Sequence, residues 1–215
     1  MPILRTPEPR WPAAVALLAI GALQAVLPEP LSPGPYWLVL AIVIVLLTPA
    51  ILAHRAGRND LNQIFGYLVL AVVTAAMVYS VCVMVWRMAA HRDTPVVLLR
   101  SAALLWFTNI LVFASWYWRL DGGGPHERLM RGIHGYGAFL FPQMTLDPHA
   151  PREPHAKSWS PGFIDYLFLA FNTSTAFSPT DVPVLSRWAK AMMMLQSLIS
   201  LLTVALLAAR AVNIL

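Results

Sequence analysis

The sequence predicts an all-α, polytopic membrane protein with five transmembrane helices and one re-entrant pore helix and loop. Three observations predict it. Of the 215 residues 58% are hydrophobic and only 12% charged, and the mean hydropathy is +0.63. The apolar residues fall in runs near the ~20 that a spanning helix needs. The third observation is the stretch Phe163-Ile-Asp-Tyr-Leu-Phe-Leu-Ala-Phe-Asn-Thr-Ser-Thr-Ala-Phe-Ser-Pro-Thr-Asp181. A helix from Pro161 to Thr173 would rise only ~20 Å, short of a hydrocarbon core of ~30 Å. It must turn back or stay inside protein, because irregular backbone at membrane depth is tolerated only within protein or beside a water-filled cavity.

Residues 1–12 are proline-rich and precede the first run, Ala13–Leu27, which is marginal in length. A cleaved signal peptide is its alternative, but Ala22-Leu-Gln-Ala25 lacks small residues two apart, and the run is read as a span. The linker Pro28-Glu-Pro-Leu-Ser-Pro-Gly-Pro35 cannot be helical, so the first run pairs with Tyr36–Ala53 as a stiffly connected hairpin. Ile64–Trp86, Ala102–Trp118 and Ala189–Leu215 follow. Trp11, Trp37, Trp86 and Trp116-Tyr117-Trp118 stand at the ends of runs, where amphipathic rings favour the headgroup level. Cys82, the single cysteine, lies mid-span and is expected to be a buried, inert thiol.

The hydrophilic region Arg119–Ser160 opens with Asp121-Gly-Gly-Gly-Pro125 and is rich in proline. It is expected to be irregular structure against the membrane surface, with Gly122–Gly124 a flexible break and Ile133–Met144 apolar enough to pack. The glycine run lacks the lysine and preceding strand of a phosphate loop. His126, His134, His149 and His155 fit no common zinc spacing and have no cysteine partners, so no metal or cofactor is expected. Ser160 and Pro161 read as N-cap and first position of the short helix, and Asp165 complements its dipole. Ser178-Pro179-Thr180-Asp181 stops that helix, since proline lacks an N–H and biases Ser178 toward extended backbone.

The last helix starts near Ser186-Arg187. Gln196, Ser200 and Thr203 fall on one face at i, i+4 and i+7, with Ser197 alongside. This stripe must face other helices or water, and the sequence leaves both open. Thr108, Asn109 and Ser115 in the fourth run are polar enough to cross-link helices. No run carries arginine at every third position, so no voltage sensor is expected. No His-Glu-x-x-His or Gly-x-Ser-x-Gly motif occurs, which weakens an enzymatic reading. The net charge of +5 comes from basic residues scattered at the ends of runs. These are membrane-flank charges rather than a nucleic-acid-binding face.

Segment 163–215 resembles the pore helix, filter and inner helix of tetrameric potassium-type cation channels, whose pattern is T-x-T-T-V-G-Y-G-D after an aromatic-rich pore helix. This chain reads Thr173-Ser174-Thr175-Ala176-Phe177-Ser178-Pro179-Thr180-Asp181, then Val-Pro183. Thr173, Thr175 and Asp181 match in place. Ala176 stands for threonine, Phe177 for valine, Ser178 and Thr180 for the two glycines, and Pro179 for tyrosine. The resemblance implies a pore filter at 173–181, a cavity lined by Gln196, Ser200 and Thr203, monovalent cations as the permeant species and a homotetramer in the lipid bilayer. It divides the chain into an N-terminal three-helix region, 1–93, and a pore-like domain, 94–215. That domain has an outer helix at 102–118, a turret at 119–160, pore helix and loop at 161–181 and inner helix at 186–215.

Without the glycines a stack of carbonyl rings cannot form cheaply, so weak selectivity is expected. The expectation is a cation-permeable channel, not an enzyme, in the plasma membrane (the inner membrane in a bacterium). A non-conducting scaffold or accessory subunit is the rival, and a transporter or enzyme the third alternative. The pore-domain topology places the turret outside, whereas Arg5, Arg10, Arg55, Arg58, Arg119, Arg128, Arg131, Arg152 and Lys157 would favour that face as cytoplasmic. An inverted pore, or a sixth full span from 161–177, stays open.

Overall fold

Seven α-helices form in the computed structural model, which describes residues 8–90, 94–131, 137–145, 159–175 and 182–212. They are α1 Trp11–Val26, α2 Leu38–Arg55, α3 Asn59–Ala89, α4 Pro95–Leu120, α5 Pro125–Arg131, α6 Phe163–Thr175 and α7 Arg187–Val212. Four of them, α2, α3, α4 and α7, are long and apolar enough to cross a membrane, which makes the chain an all-helical, multi-pass membrane protein. The 16-residue α1 is apolar but shorter. Val45, Leu52 and Ile64 are more than half exposed on the outer surface, a cost in water that lipid removes.

Hydrogen bonds fix which helix ends meet. Arg10, before α1, donates to Asn62 near the start of α3 (3.1 Å), and Asn62 donates to the Ala50 carbonyl in the last turns of α2 (2.9 Å). Arg119, at the end of α4, donates to the Asn62 carbonyl. Phe163 at the start of α6 packs edge-on against Trp118, and Phe139 against Trp188 of α7. One end of the bundle therefore gathers the starts of α1, α3, α6 and α7 with the ends of α2 and α4.

Helix α4 runs through the middle, packing on α1, α3, α6 and α7. It begins at Pro95, earlier than the expected 102: Thr94 is extended and Pro95 takes the first turn, where its missing N–H costs nothing. It ends in a 3-10 turn over Asp121–Gly123. Gly122, Gly123 and Gly124 have φ of 57°, 83° and 94°, so the glycine run is a tight left-handed turn rather than a loose break. The segment after it, expected to be irregular, is helical in α5. From the expected packing stretch Ile133–Met144, Ala138, Phe139 and Phe141 are buried, and residues 133–136 lie outside the described residues.

Several side chains differ from expectation. Cys82 is exposed on α3, on a surface that faces outward from the bundle. Trp11, Trp37 and Trp86 are exposed, but Trp118 is buried and Trp116 turns inward to donate its indole N–H to the Thr74 hydroxyl (2.9 Å). Arg119 is not a loop charge either. It belongs to α4, is 7% exposed, and its guanidinium lies over the Tyr67 ring at 5.6 Å. A Cβ on Gly66 would fall 1.6 Å from Arg119 Nη2, so glycine is what lets the guanidinium cross α3.

Gly66→Ala should therefore displace that buried guanidinium and cost ~1–3 kcal/mol, seen as a lower thermal midpoint in detergent. In an Arg119→Met background the same substitution should cost much less, because the two positions share one contact.

Candidate functional site

Helix α6 begins one residue after Gly162, two later than the sequence suggests. The Asp165 carboxylate accepts the Gly162 N–H at 2.7 Å, so the first-turn acid satisfies a donor at the start of the helix. Phe163, Tyr166, Leu169 and Ala170 bury one face of α6. The opposite face, Ile164, Phe168 and Phe171, is exposed and borders an apolar groove of about 740 Å³ shared with α1 and α4.

The far end of α6 is held by α7. Gln196 has no exposed surface. Its Nε2 donates to the Ala170 carbonyl (2.7 Å) and the Ser174 hydroxyl (2.9 Å), and its Oε1 accepts the Tyr117 hydroxyl from α4 (2.6 Å). Asn109 of α4 donates to the Gln196 backbone carbonyl at 3.2 Å. One turn on, Ser200 donates to the Ser174 carbonyl (2.7 Å) and accepts the Trp106 indole N–H (2.9 Å). The last carbonyls of a helix have no partner within it, and Ser200 supplies one. Ser197 reaches the Thr173 carbonyl at 3.5 Å.

The stripe Gln196, Ser200 and Thr203 is fully buried between α7, α6 and α4 in the single chain. Thr203 differs from the other two, since among the described residues its hydroxyl bonds only its own helix, at Ile199 (3.0 Å) and Ser200 (2.9 Å). Of the expected filter, Thr173 and Ser174 are buried and Thr175 is exposed at the end of α6. Thr173 and Thr175 donate to carbonyls one turn back, Leu169 at 2.8 Å and Phe171 at 3.0 Å. Ala176, Phe177, Ser178, Pro179, Thr180 and Asp181 lie outside the described residues, as do His134, His149 and His155. By 182–185 the chain is paired with 138–140: Leu140 N–H donates to Pro183 (3.0 Å) and Leu185 N–H to Ala138 (2.8 Å).

In α4, Asn109 joins two helices as expected, whereas Thr108 and Ser115 donate to Leu104 and Leu111 of their own helix. Tyr117, expected as an interface aromatic, and Trp106, to which the sequence reading assigns no role, are the partners of the stripe. Their spacing relative to Asn109 on α4 was the available signal.

A second polar cluster lies beyond the start of α6. Tyr166 donates to Asp121 Oδ2 at 2.6 Å, and Asp121 Oδ1 accepts the Ala138 N–H. Arg128 donates to the Trp118 and Asp121 carbonyls, each at 2.8 Å, and to Glu8 at 3.0 Å. Its guanidinium sits 5.2 Å from the Tyr166 ring centre. Burial lowers the Arg10 pKa from its ordinary value, with Glu8 opposing the shift and Arg128 adding to it. His126 meets Asn59 at 3.1 Å. Among the described residues no three His, Cys, Asp or Glu side chains gather as a metal site.

Gln196→Leu should lower stability by ~1–3 kcal/mol, because the Tyr117 and Ser174 hydroxyls lose their partner in a dry interface. Thr203→Val should stay within ~1 kcal/mol, as the carbonyls it leaves already belong to the helix ladder. Thermal unfolding of the two variants side by side checks this.

Comparison of the chain with family models, curated proteins and solved structures gives no match, to potassium-channel pore domains or to any other family.

Proposed function

We propose that the chain is one subunit of a cation-permeable membrane channel with potassium-channel-like architecture. Four copies surround an axis near α7, and residues 163–185 enter and leave the membrane at one face. The observation that carries the reading is the anchoring of α6. Its 13 residues rise ~20 Å, too little to span. Its start is tied to the end of α4 by Tyr166 and Phe163, and the chain is back at the same end by Val184. Its C-terminal turn, the negative end of its dipole, is held in the bundle by Gln196 and Ser200. In this reading α1 is the fifth span, thinned by its length to ~24 Å, and the plasma membrane is the site of action.

The outer faces of α6 and α7, Ile164, Phe168, Met194, Leu195 and Leu198, supply apolar surface for neighbouring copies. Four copies are required because one short helix and loop cannot enclose a path. Selectivity between potassium and sodium is weak, because Ser178, Pro179 and Thr180 replace the residues that a carbonyl stack needs. Asp181 contributes a ring of negative charge that concentrates cations at the mouth.

One observation favours a second reading, a channel-like scaffold that does not conduct. The Ser174 hydroxyl and carbonyl are both engaged by α7, and Thr173 bonds its own helix, so neither group is offered to an axis.

The purified chain should be a tetramer and, reconstituted in liposomes, should pass potassium and sodium at similar rates while excluding chloride. Cross-linking gives the first answer and bi-ionic reversal potentials the second. A monomer overturns both the architecture and the channel; a tetramer without flux selects the scaffold.

A further inference from the structure

Away from α6, a cleft of about 430 Å³ opens between α1, α2, α3 and α4. Its deep wall is apolar, with Leu17, Leu47 and Val69 from three different helices. Arg10, His54, Arg55 and Arg119 stand in its lining, and among the described residues no carboxylate does, Glu8 acting on Arg10 from outside it. Trp11 and Trp118 border its mouth. Trp11 is 69% exposed there, which places the mouth at the level where indoles meet headgroups.

Arg119 is the telling residue. It is 7% exposed, and among the described residues no acceptor reaches its Nε. Its Nη2 donates to the neutral carbonyls of Asn62 and Gln63, and its guanidinium lies over the rings of Tyr67 and Trp118. These contacts orient the charge without neutralising it. A buried guanidinium without a counter-charge is costly, and an anion in the cleft would remove that cost.

We propose that this cleft binds one anionic phospholipid, with its phosphate among Arg10, His54, Arg55 and Arg119 and an acyl chain along Leu17, Leu47 and Val69. The apolar wall beneath the cationic mouth selects an amphiphile over a free anion. Arg10, Arg55 and Arg119 in the lining, beside a Glu8 carboxylate already paired with Arg128, favour an acidic lipid over a zwitterionic one. The site stands apart from α6 and α7 and does not depend on conduction.

Native mass spectrometry of the purified full chain, titrated with phosphatidylglycerol or phosphatidylcholine, tests this. One phosphatidylglycerol should be retained per chain about tenfold more tightly than phosphatidylcholine. Arg55→Gln, an exposed position whose loss does not threaten folding, should remove most of that preference. Arg100→Gln at the opposite end of the bundle should leave it unchanged. Inorganic phosphate alone should neither compete with the lipid nor raise the thermal midpoint. Equal retention of the two lipids, indifference to Arg55→Gln, or stabilisation by inorganic phosphate equal to that by the lipid would each overturn the proposal.

Discussion

The buried amide of Gln196 is the interaction on which the C-terminal half depends. An amide has two donors and an acceptor to satisfy, and hydrocarbon offers no water to do so. Gln196 meets that demand with groups from two other helices, Tyr117 on α4 and Ala170 and Ser174 on α6. The constraint works in both directions. Helix α7 supplies a partner for the Ser174 carbonyl in the last turn of α6 through Ser200. Neither helix can shift along the other by one residue without leaving a polar group unpaired, so a short helix of modest apolar area acquires a fixed place.

A comparable logic holds the other end of the bundle. Arg119 and Arg128 are drawn inward by backbone carbonyls, aromatic faces and Glu8, and Gly66 leaves room for the first of them. This changes how the charge distribution is weighed. Counted as loop residues, both arginines favour a cytoplasmic placement of that face. Engaged inside the protein they are structural, and the bias that opposes the pore-like topology loses two of its members.

The sequence made the long apolar helices legible because hydropathy over some twenty residues is a strong signal. Boundaries were harder to read. Arg100 and Ser101 dilute the start of α4 and hid its first two turns behind Pro95. Periodicity placed Gln196 and Ser200 on one face but could not say what that face met. The answer lay in Tyr117 and Trp106, whose spacing on α4 is matched only when both helices are in place. Cys82 is exposed rather than buried, since position within a span does not decide which side of the helix faces outward. The polar cluster around Asp121 escaped notice because it joins residues from Glu8 to Tyr166 through a turn that three glycines make possible.

The central claim is that segment 163–185 enters and leaves the membrane at one face, and the most direct measurement of it is sided labelling of single cysteines. In a Cys82→Ser background, Gly162→Cys, Leu185→Cys and Thr94→Cys would each be exposed to a membrane-impermeant maleimide in sealed, oriented vesicles. The account predicts that positions 162 and 185 label from the same side and position 94 from the other. Labelling of 162 and 185 from opposite sides would make this segment a sixth span and contradict the account.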